Sequence, residues 1–590
     1  MKVLCLLASA AVAMSAQPVI VDVVNSASHI PTGFPGAGIA QGALFAIVGK
    51  GLGPDPIELA GGFPLTTNIG GVSVQVTVAG TTVDAIMVFA AARQVSAILP
   101  SNTPVGAGTV TLNNNGATAT APIVVVASAP GLFPLSNVIG LDAAVSAPAL
   151  AFNVNADGSM PLNLYNAAAA TGQSVMLVGT GVGAIPSDET QTGVTDAPGA
   201  QLQVFVGGTL ASNVSVARGS YPSVPDGIDL SPIPNGLAAL DLIQFTVPDG
   251  VSGCLMSVVV QSGNFISNPV TIAISPDGSQ CVNPNAADPG DTVTFNGTAR
   301  LANISLLRVV ARSASALSTT ETGIDQGQAS FLQVDTPANS GVPVLVSSFS
   351  SALNLNIGSC NLQLARAILG AVANPPPSGG PAPNPPIYLD AGPTLSVTGP
   401  NGTMQMKQAA KGVYSGSFGV TFNIISTIPI PPTGKPFLDP GDYAVNDGTG
   451  GADVGPFTAN LTLSNPQLKF TNIDSINSID RSKGVTVQWT GGDPNGFVTI
   501  TGSSSSLSGT TPGSISLLGS FQCSAPVSAG QFTVPAFVTS SLPATGLPLA
   551  TGGSGNIAIN TYVVNRFSIP TFDLGLISFS INITRPSVYQ

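Results

Sequence analysis

Apolar and polar residues alternate with a period of two through most of this chain. The stretch "GGVSVQVTVAG" puts Val72, Val74, Val76 and Val78 on one side and Ser73, Gln75 and Thr77 on the other. That period belongs to a half-buried β-strand, whose successive side chains point to opposite faces. "GAGTVTLNNNGATATAPIVVVA" carries the pattern on both sides of a polar turn and reads as a hairpin. Runs of this kind are short and are separated by Gly, Pro, Asn and Ser, the punctuation of antiparallel sandwiches. No stretch supports a long amphipathic helix; "LARAILGAV" at 364–372 is the best short helical candidate.

The pattern repeats. "GALFAIVGKGLG" at 42–53 matches "GQSVMLVGTGVG" at 172–183, with Gly42, Val48, Gly49, Gly51 and Gly53 recurring as Gly172, Val178, Gly179, Gly181 and Gly183. "QVSAILPSNTPVGAGTVTL" from Gln94 likewise matches "LIQFTVPDGVSGCLMSVVV" from Leu242. Self-similarity outranks any single motif, so residues 18–127 and 128–281 read as two copies of one sandwich. A less regular β-rich region follows at 282–373. The Pro-rich run at 374–386 then reads as a linker or exposed loop. A sandwich at 387–470 contains a Pro-Asn-Gly turn at 400–402, and a last sandwich at 471–590 contains Trp489. The fold class is all-β: tandem immunoglobulin-like antiparallel β-sandwiches.

The blocks "GALFAIVGKGLGP", "LTTNIGGVSVQV", "APGLFP", "GQSVMLVGTGVG" and "SNPVTIAI" resemble a repeated domain of large secreted proteins from soil acidobacteria, itself similar to the IPT/TIG immunoglobulin-like fold. "LDAGPTLSVTGPNG", "LDPGDY", "GGADVGPF", "VTVQWTGGDPNG" and "QFTVP" resemble the C-terminal tail of the same proteins. The likeness covers most of the chain and implies an exported, immunoglobulin-like, non-catalytic protein. Where that family places an aromatic-rich segment in the first repeat, "MVFAAARQVSAILP" has only Phe89.

Composition narrows the function classes. Charged residues are 7% of the 590, and the net charge is −12. So few cations cannot neutralise a run of phosphates, which argues against nucleic-acid partners. The opening "MKVLCLLASAAVAMSAQ" has a basic start, an apolar core and small residues after it, as in a secretory signal peptide cleaved near 16. No later apolar run is long enough for a transmembrane helix. Four cysteines follow the leader, and an even number in an exported chain suggests disulfides. Of three connectivities, Cys254–Cys281 with Cys360–Cys523 is favoured, because the first two bracket a pair of strand-like runs.

Candidate chemistry is sparse. The loop at 49–53 has Lys50 before Gly51 rather than Ser or Thr, and Pro54 where a dinucleotide fingerprint needs its third glycine. The twin copy carries Thr180 at the place of Lys50. The glycines therefore read as strand ends that need positive φ. The single histidine, His29, reads as a loop residue and leaves Ser and Cys without a base. Asp439, Asp442, Asp447 and Asp453 gather in a glycine-rich stretch, with a smaller pair at Asp288 and Asp291. Such residues suit turns, and an oxygen-rich loop also suits Ca²⁺. Trp489 is a candidate for carbohydrate stacking if exposed and for the core if not. The expected role is a secreted adhesive or structural scaffold at the cell surface or in the matrix, with extracellular polysaccharide or surface proteins as partners. The alternatives are a polysaccharide-binding protein and a hydrolase with paired carboxylates.

Overall fold

The computed structural model describes residues 17–590 except 136–142, 145–146, 225–234, 282–291, 294–297, 315–318, 336–343, 346–357, 359, 369–384, 426–432, 510–513 and 546–553. The expected signal peptide, most of the Pro-rich run, Asp288 and Asp291 lie outside the described residues.

Residues 18–127 form a sandwich of two five-stranded sheets. One orders Val19–Asn25, Leu44–Lys50, Gln94–Ile98, Ile86–Ala90 and Glu58–Leu59; the other orders Ile39–Ala40, Ala117–Val126, Gly106–Asn114, Val72–Val78 and Thr81–Asp84. The alternation in 72–78 is realised directly: all four valines are buried, while Gln75 is exposed. They pack among Phe45, Ile47, Val110 and Leu112. Full burial of each such side chain stabilises by roughly 1.5–3 kcal/mol.

The second repeat uses the same plan. Gly131–Leu132 and Ala151–Val154 flank Ser174–Thr180, which pairs with Asp241–Thr246. The facing sheet is built on Val270–Ser275, Gly253–Ser262 and Gln203–Val206. The twin glycines do the same work in both copies. A Cβ on Gly49 would stand 2.0 Å from the Val19 carbonyl oxygen, and one on Gly179 would stand 2.5 Å from that of Gly131. Two residues on, Gly51 and Gly181 turn the chain at φ +63° and +95°. Lys50 is exposed at the strand end and cradles nothing.

The rest of the chain is organised by one very large sheet. Its centre is a hairpin of two 17-residue strands, Thr298–Ala314 and Thr319–Asp335. On one side follow Val413–Ile425, Gly402–Ala410, Thr394–Gly399, Gly441–Asn446 and Thr458–Leu463. On the other come Leu574–Pro586, Gly555–Phe567, Phe497–Leu507, Ile515–Pro526 and Cys360–Ile368. Strands from 282–373, 387–470 and 471–590 thus share one sheet, and the boundaries drawn near 373 and 470 run through it. Thr298–Ala314 pairs in parallel with Leu574–Pro586. A parallel pair needs a crossover, and here the crossover is the whole intervening chain.

Residues 364–368, expected within a short helix, lie instead in the strand Cys360–Ile368. Leu362 and Leu364 are buried and Gln363 is exposed, a two-residue period that pairing with Ile515–Pro526 enforces over helical propensity. Among the described residues the α-helix is Ala536–Ser541, entered through Pro535. Both favoured disulfides are formed, Cys254–Cys281 and Cys360–Cys523. Cys360 and Cys523 stand directly opposite on neighbouring strands, with Cα atoms 4.0 Å apart.

The glycine contacts predict a stability difference. Gly49→Ala is expected to destabilise the first repeat by about 1–3 kcal/mol through overpacking against the neighbouring strand. Gly199→Ala, where an added Cβ meets nothing within 4 Å, is expected to be near neutral. Urea unfolding of the two variants checks this.

Candidate functional site

The strands of the two repeats end against one another. Leu44, Val88, Phe89 and Ile98 of the first repeat share an apolar cluster with Phe133, Phe152, Met176 and Leu240 of the second. Phe89, the lone aromatic of its segment, is therefore part of the seam. Polar groups complete it. The Leu44 amide donates to the Thr180 hydroxyl at 2.8 Å, and that hydroxyl donates to the Ala239 carbonyl at 2.7 Å. The Asn25 side-chain amide donates to the carbonyls of Ala129 and Thr180. The position that holds Lys50 in one copy is thus used in the other, as Thr180, to join the copies.

At the rim of this seam lies a cleft of about 390 Å³, lined by Pro100, Ser101 and Asn102 of the first repeat and by residues 184–187 and Glu189 of the second. Glu189 is buried, and its carboxylate accepts from the Ser101 amide and hydroxyl. The same hydroxyl accepts from the Ile185 amide at 2.9 Å. Burial pushes the Glu189 carboxyl up, against those hydrogen bonds and the nearby Arg218 charge. Behind the cleft, Arg218 and Asp241 form an ion pair at 3.1 Å with both side chains fully buried. Asp241 also accepts from the Val182 amide, and Arg218 donates to the Gly183 carbonyl. Desolvation drives the Asp241 carboxyl upward and the guanidinium opposes it. Ser101, Ile185 and Glu189 join the repeats, and Arg218 with Asp241 holds the second repeat's loop in place: Ser101 is a linker between two loops, not a nucleophile set before a base.

The expected site residues fall elsewhere. Trp489 is buried, 2% exposed, and its indole nitrogen donates to the Val527 carbonyl at 2.9 Å. It belongs to the core and presents no face to a sugar, because burial of its strand leaves the ring inside the sandwich. The four aspartates do not converge on a cation. Asp439 accepts from Asn401 and faces Arg308, and Asp442 accepts from Thr462. Asp447 accepts from the Phe457 amide, and Asp453 pairs with Lys411 at 2.9 Å. Among the described residues no group of three His, Cys, Asp or Glu side chains is placed to hold a metal.

"LDPGDY" proves to be a tyrosine corner rather than an ion loop: the Tyr443 hydroxyl reaches back to the carbonyls of Phe437 and Asp439. The turn is seated on Asp325, which accepts from the Phe437 and Leu438 amides. Arg308 holds that carboxylate with two 2.7 Å hydrogen bonds. Sequence reasoning passed over Arg218, Asp241, Arg308 and Asp325. Their signal was present: lone charges inside apolar runs such as "SVARG", "ALDLIQF" and "LLRVVAR", in a chain with few charges at all.

A second seam joins the first repeat to the large sheet. Ile30 and Phe34, in the loop after Val19–Asn25, enter the core that holds Leu362 and Leu364. Arg366 pairs with Asp22 at 3.2 Å. Ala143–Ala144 of the second repeat adds itself to the edge at Cys360–Ile368. His29 lies buried in the docking loop at φ +49°, and burial lowers its imidazole to about 4 despite a hydrogen bond with the Ser26 backbone.

No family model and no curated protein matches this sequence. Among solved structures the chain is similar to the titin Ig tandem domains A164–A165, at 10% identity over 40% of this chain and 90% of that one, TM-score 0.12. It is similar to sidekick-1 immunoglobulin domains 1–5 at 10% identity over 96% and 99%, TM-score 0.11. A third is SGBP-B from a complex xyloglucan utilization locus in Bacteroides uniformis, 11% identical over 71% and 96%, TM-score 0.14. These likenesses concern fold alone.

Two outcomes are expected. Arg218→Met leaves Asp241 charged and buried without a partner, and should cost about 3–5 kcal/mol. The double change with Asp241→Leu should cost less, and a denaturant double-mutant cycle measures the difference. The unfolded chain protonates His29 near 6.5 and the folded chain near 4. Stability from this group is therefore whole above 6.5 and is lost as the pH falls towards 4, by about 3 kcal/mol. His29→Gln should remove that component from stability-versus-pH curves.

Proposed function

We propose that this chain is an exported, non-catalytic scaffold that acts at the cell surface or in the extracellular matrix, holding immunoglobulin-like units in a set arrangement. The observation that carries the reading is the mutual locking of three bodies. A string of independent modules joined by flexible linkers has small, polar interfaces. Here the first and second repeats share an apolar cluster, buried hydrogen bonds from Leu44 and Asn25 to Thr180, and hydrogen bonds from Ser101 to Glu189. The first repeat also inserts Ile30 and Phe34 into the core of the large sheet. Two disulfides support an oxidising compartment, and the leader-like N-terminus supports export. No helix of the described residues is long and apolar enough to cross a membrane.

The cleft between the repeats supports the same reading, since its polar groups are engaged with one another. A sparsely charged exterior suits a durable extracellular surface, and partners would be extracellular polysaccharide or surface proteins. Cell fractionation of a producing host tests the role: the chain is expected on the cell surface or in the matrix, whereas a wholly cytoplasmic chain overturns it. Small-angle scattering tests the locking. The purified chain is expected to scatter as one rigid particle. Ile30→Asp combined with Arg366→Ala should increase the radius of gyration by freeing the first repeat.

A further inference from the structure

Antiparallel pairing dominates the described strands, and the exceptions form a set. Ile39–Ala40 runs parallel to Ala117–Val126, the strand by which the chain leaves the first repeat. Ala147–Pro148 and Ala169–Ala170 both run parallel to Val270–Ser275, the last strand of the second. Thr298–Ala314 runs parallel to Leu574–Pro586, and Ser478–Ile479 to Val588–Tyr589. Among the described strands, every parallel pairing thus joins an earlier strand to a closing strand of the same body. A hairpin closes antiparallel strands by itself, whereas each of these pairs needs a crossover.

These pairs lie where tension along the chain acts. A pull enters the central hairpin at Thr298 and leaves through Leu574–Pro586. The two strands are neighbours and parallel, so that pull draws them lengthwise in opposite directions. Their ladder runs unbroken from Leu301 beside Leu574 to Ala311 beside Thr584, and its hydrogen bonds are strained together. Opened from one end, the same ladder gives way one bond at a time. The exit is stitched on both sides. The Val588 and Gln590 amides donate to the carbonyls of Asn477 and Ile479, the Tyr589 amide donates to the Thr545 hydroxyl, and the Tyr589 ring is fully buried. Both disulfides lie on the path. Cys254–Cys281 passes load leaving the second repeat to Gly253–Ser262 as well as to Val270–Ser275. Cys360–Cys523 closes a loop of sequence separation 163 between the two clamped strands, and that loop cannot be drawn out while the bond holds.

We propose that this chain bears tension along its length, with Thr298–Ala314 and Leu574–Pro586 as its principal clamp and Cys360–Cys523 as the stop behind it. The parallel ladders of the two repeats are short, which leaves the long ladder of the large sheet as the strongest element on the path. The inference deepens the scaffold reading and rests on it for its setting, since a protein that holds units in place outside a cell is one that is pulled.

Single-molecule force spectroscopy on the full chain tests the proposal. Handles on Thr298→Cys and Gln590→Cys, both exposed positions, load the clamp lengthwise. Handles on Thr298→Cys and the exposed Ser568→Cys, in the turn before Leu574, load the same ladder from one end. Circular dichroism matching the parent's establishes that both variants are folded. At one loading rate the lengthwise rupture force is expected to be at least about threefold the other, because forced unfolding reads the barrier and not the equilibrium stability. Equal forces, or a lower lengthwise force, overturn the proposal. With a reductant present, complete extension is expected to lengthen by roughly 560 Å, the reach of 163 residues at ~3.4 Å each. An unchanged extension overturns the assignment of Cys360–Cys523 as the stop. Equal forces in a chain retained at the cell surface remove this inference and leave the scaffold reading intact. A strong directional clamp in a wholly cytoplasmic chain does the reverse.

Discussion

One buried ion pair in the second repeat fixes the loop through which that repeat meets the first. Arg218 and Asp241 meet at 3.1 Å, both fully buried, at the point where the strands of one sandwich abut the loops of the other. Removing two charges from water costs several kcal/mol each, and mutual attraction recovers this only when further hydrogen bonds satisfy the remaining atoms. Two such bonds come from Val182 and Gly183, at the end of the twin glycine motif, while the Arg218 Nε is left without one. The pair therefore works only with that loop in one conformation, and the loop in turn carries Ile185 and Glu189 to Ser101 of the other repeat. The seam between the repeats is then closed by that loop's bonds to Ser101 and by those of Leu44 and Asn25 to Thr180.

The same economy appears wherever segments meet. Arg308 clamps Asp325 beneath the tyrosine corner, Arg366 reaches Asp22 of the first repeat, and Arg300 donates to the Asp453 carbonyl. In a chain with so few cations, arginine is placed where distant segments must be held. Its planar fork can satisfy two acceptors at once, which an ammonium cannot do in a fixed plane. The hydrophobic surface supplies most of the stability and the arginines supply the alignment.

Alignment matters most around the large sheet. Its central hairpin is joined in parallel to Leu574–Pro586, so the last strands close over everything that precedes them. Cys360–Cys523 ties the strand that receives the first two repeats to the neighbour inside that sheet. The result is a continuous β-surface in which the central hairpin is paired on both sides. A rigid scaffold depends on those pairings.

The alternation of Val72 to Val78, the duplicated glycine motifs and the bracketing of two strands by Cys254 and Cys281 determined the all-β class, the two repeated sandwiches and one disulfide, which left Cys360 to pair with Cys523. These are local or near-local signals: side-chain period, turn chemistry and strand bracketing act over ten to thirty residues. What the chain does at long range was decided by tertiary structure alone. Residues 364–368 became a strand because a sheet edge was available to pair with them. Trp489 went inside because its strand is covered. Asp439 and Asp453 found Arg308 and Lys411 rather than each other, because the turns that carry them are seated on different strands. The seam residues were visible only as isolated charges in apolar runs, and an isolated charge does not name its partner. Arg218 and Asp241 are 23 residues apart on neighbouring strands, and only the register of those strands brings them together.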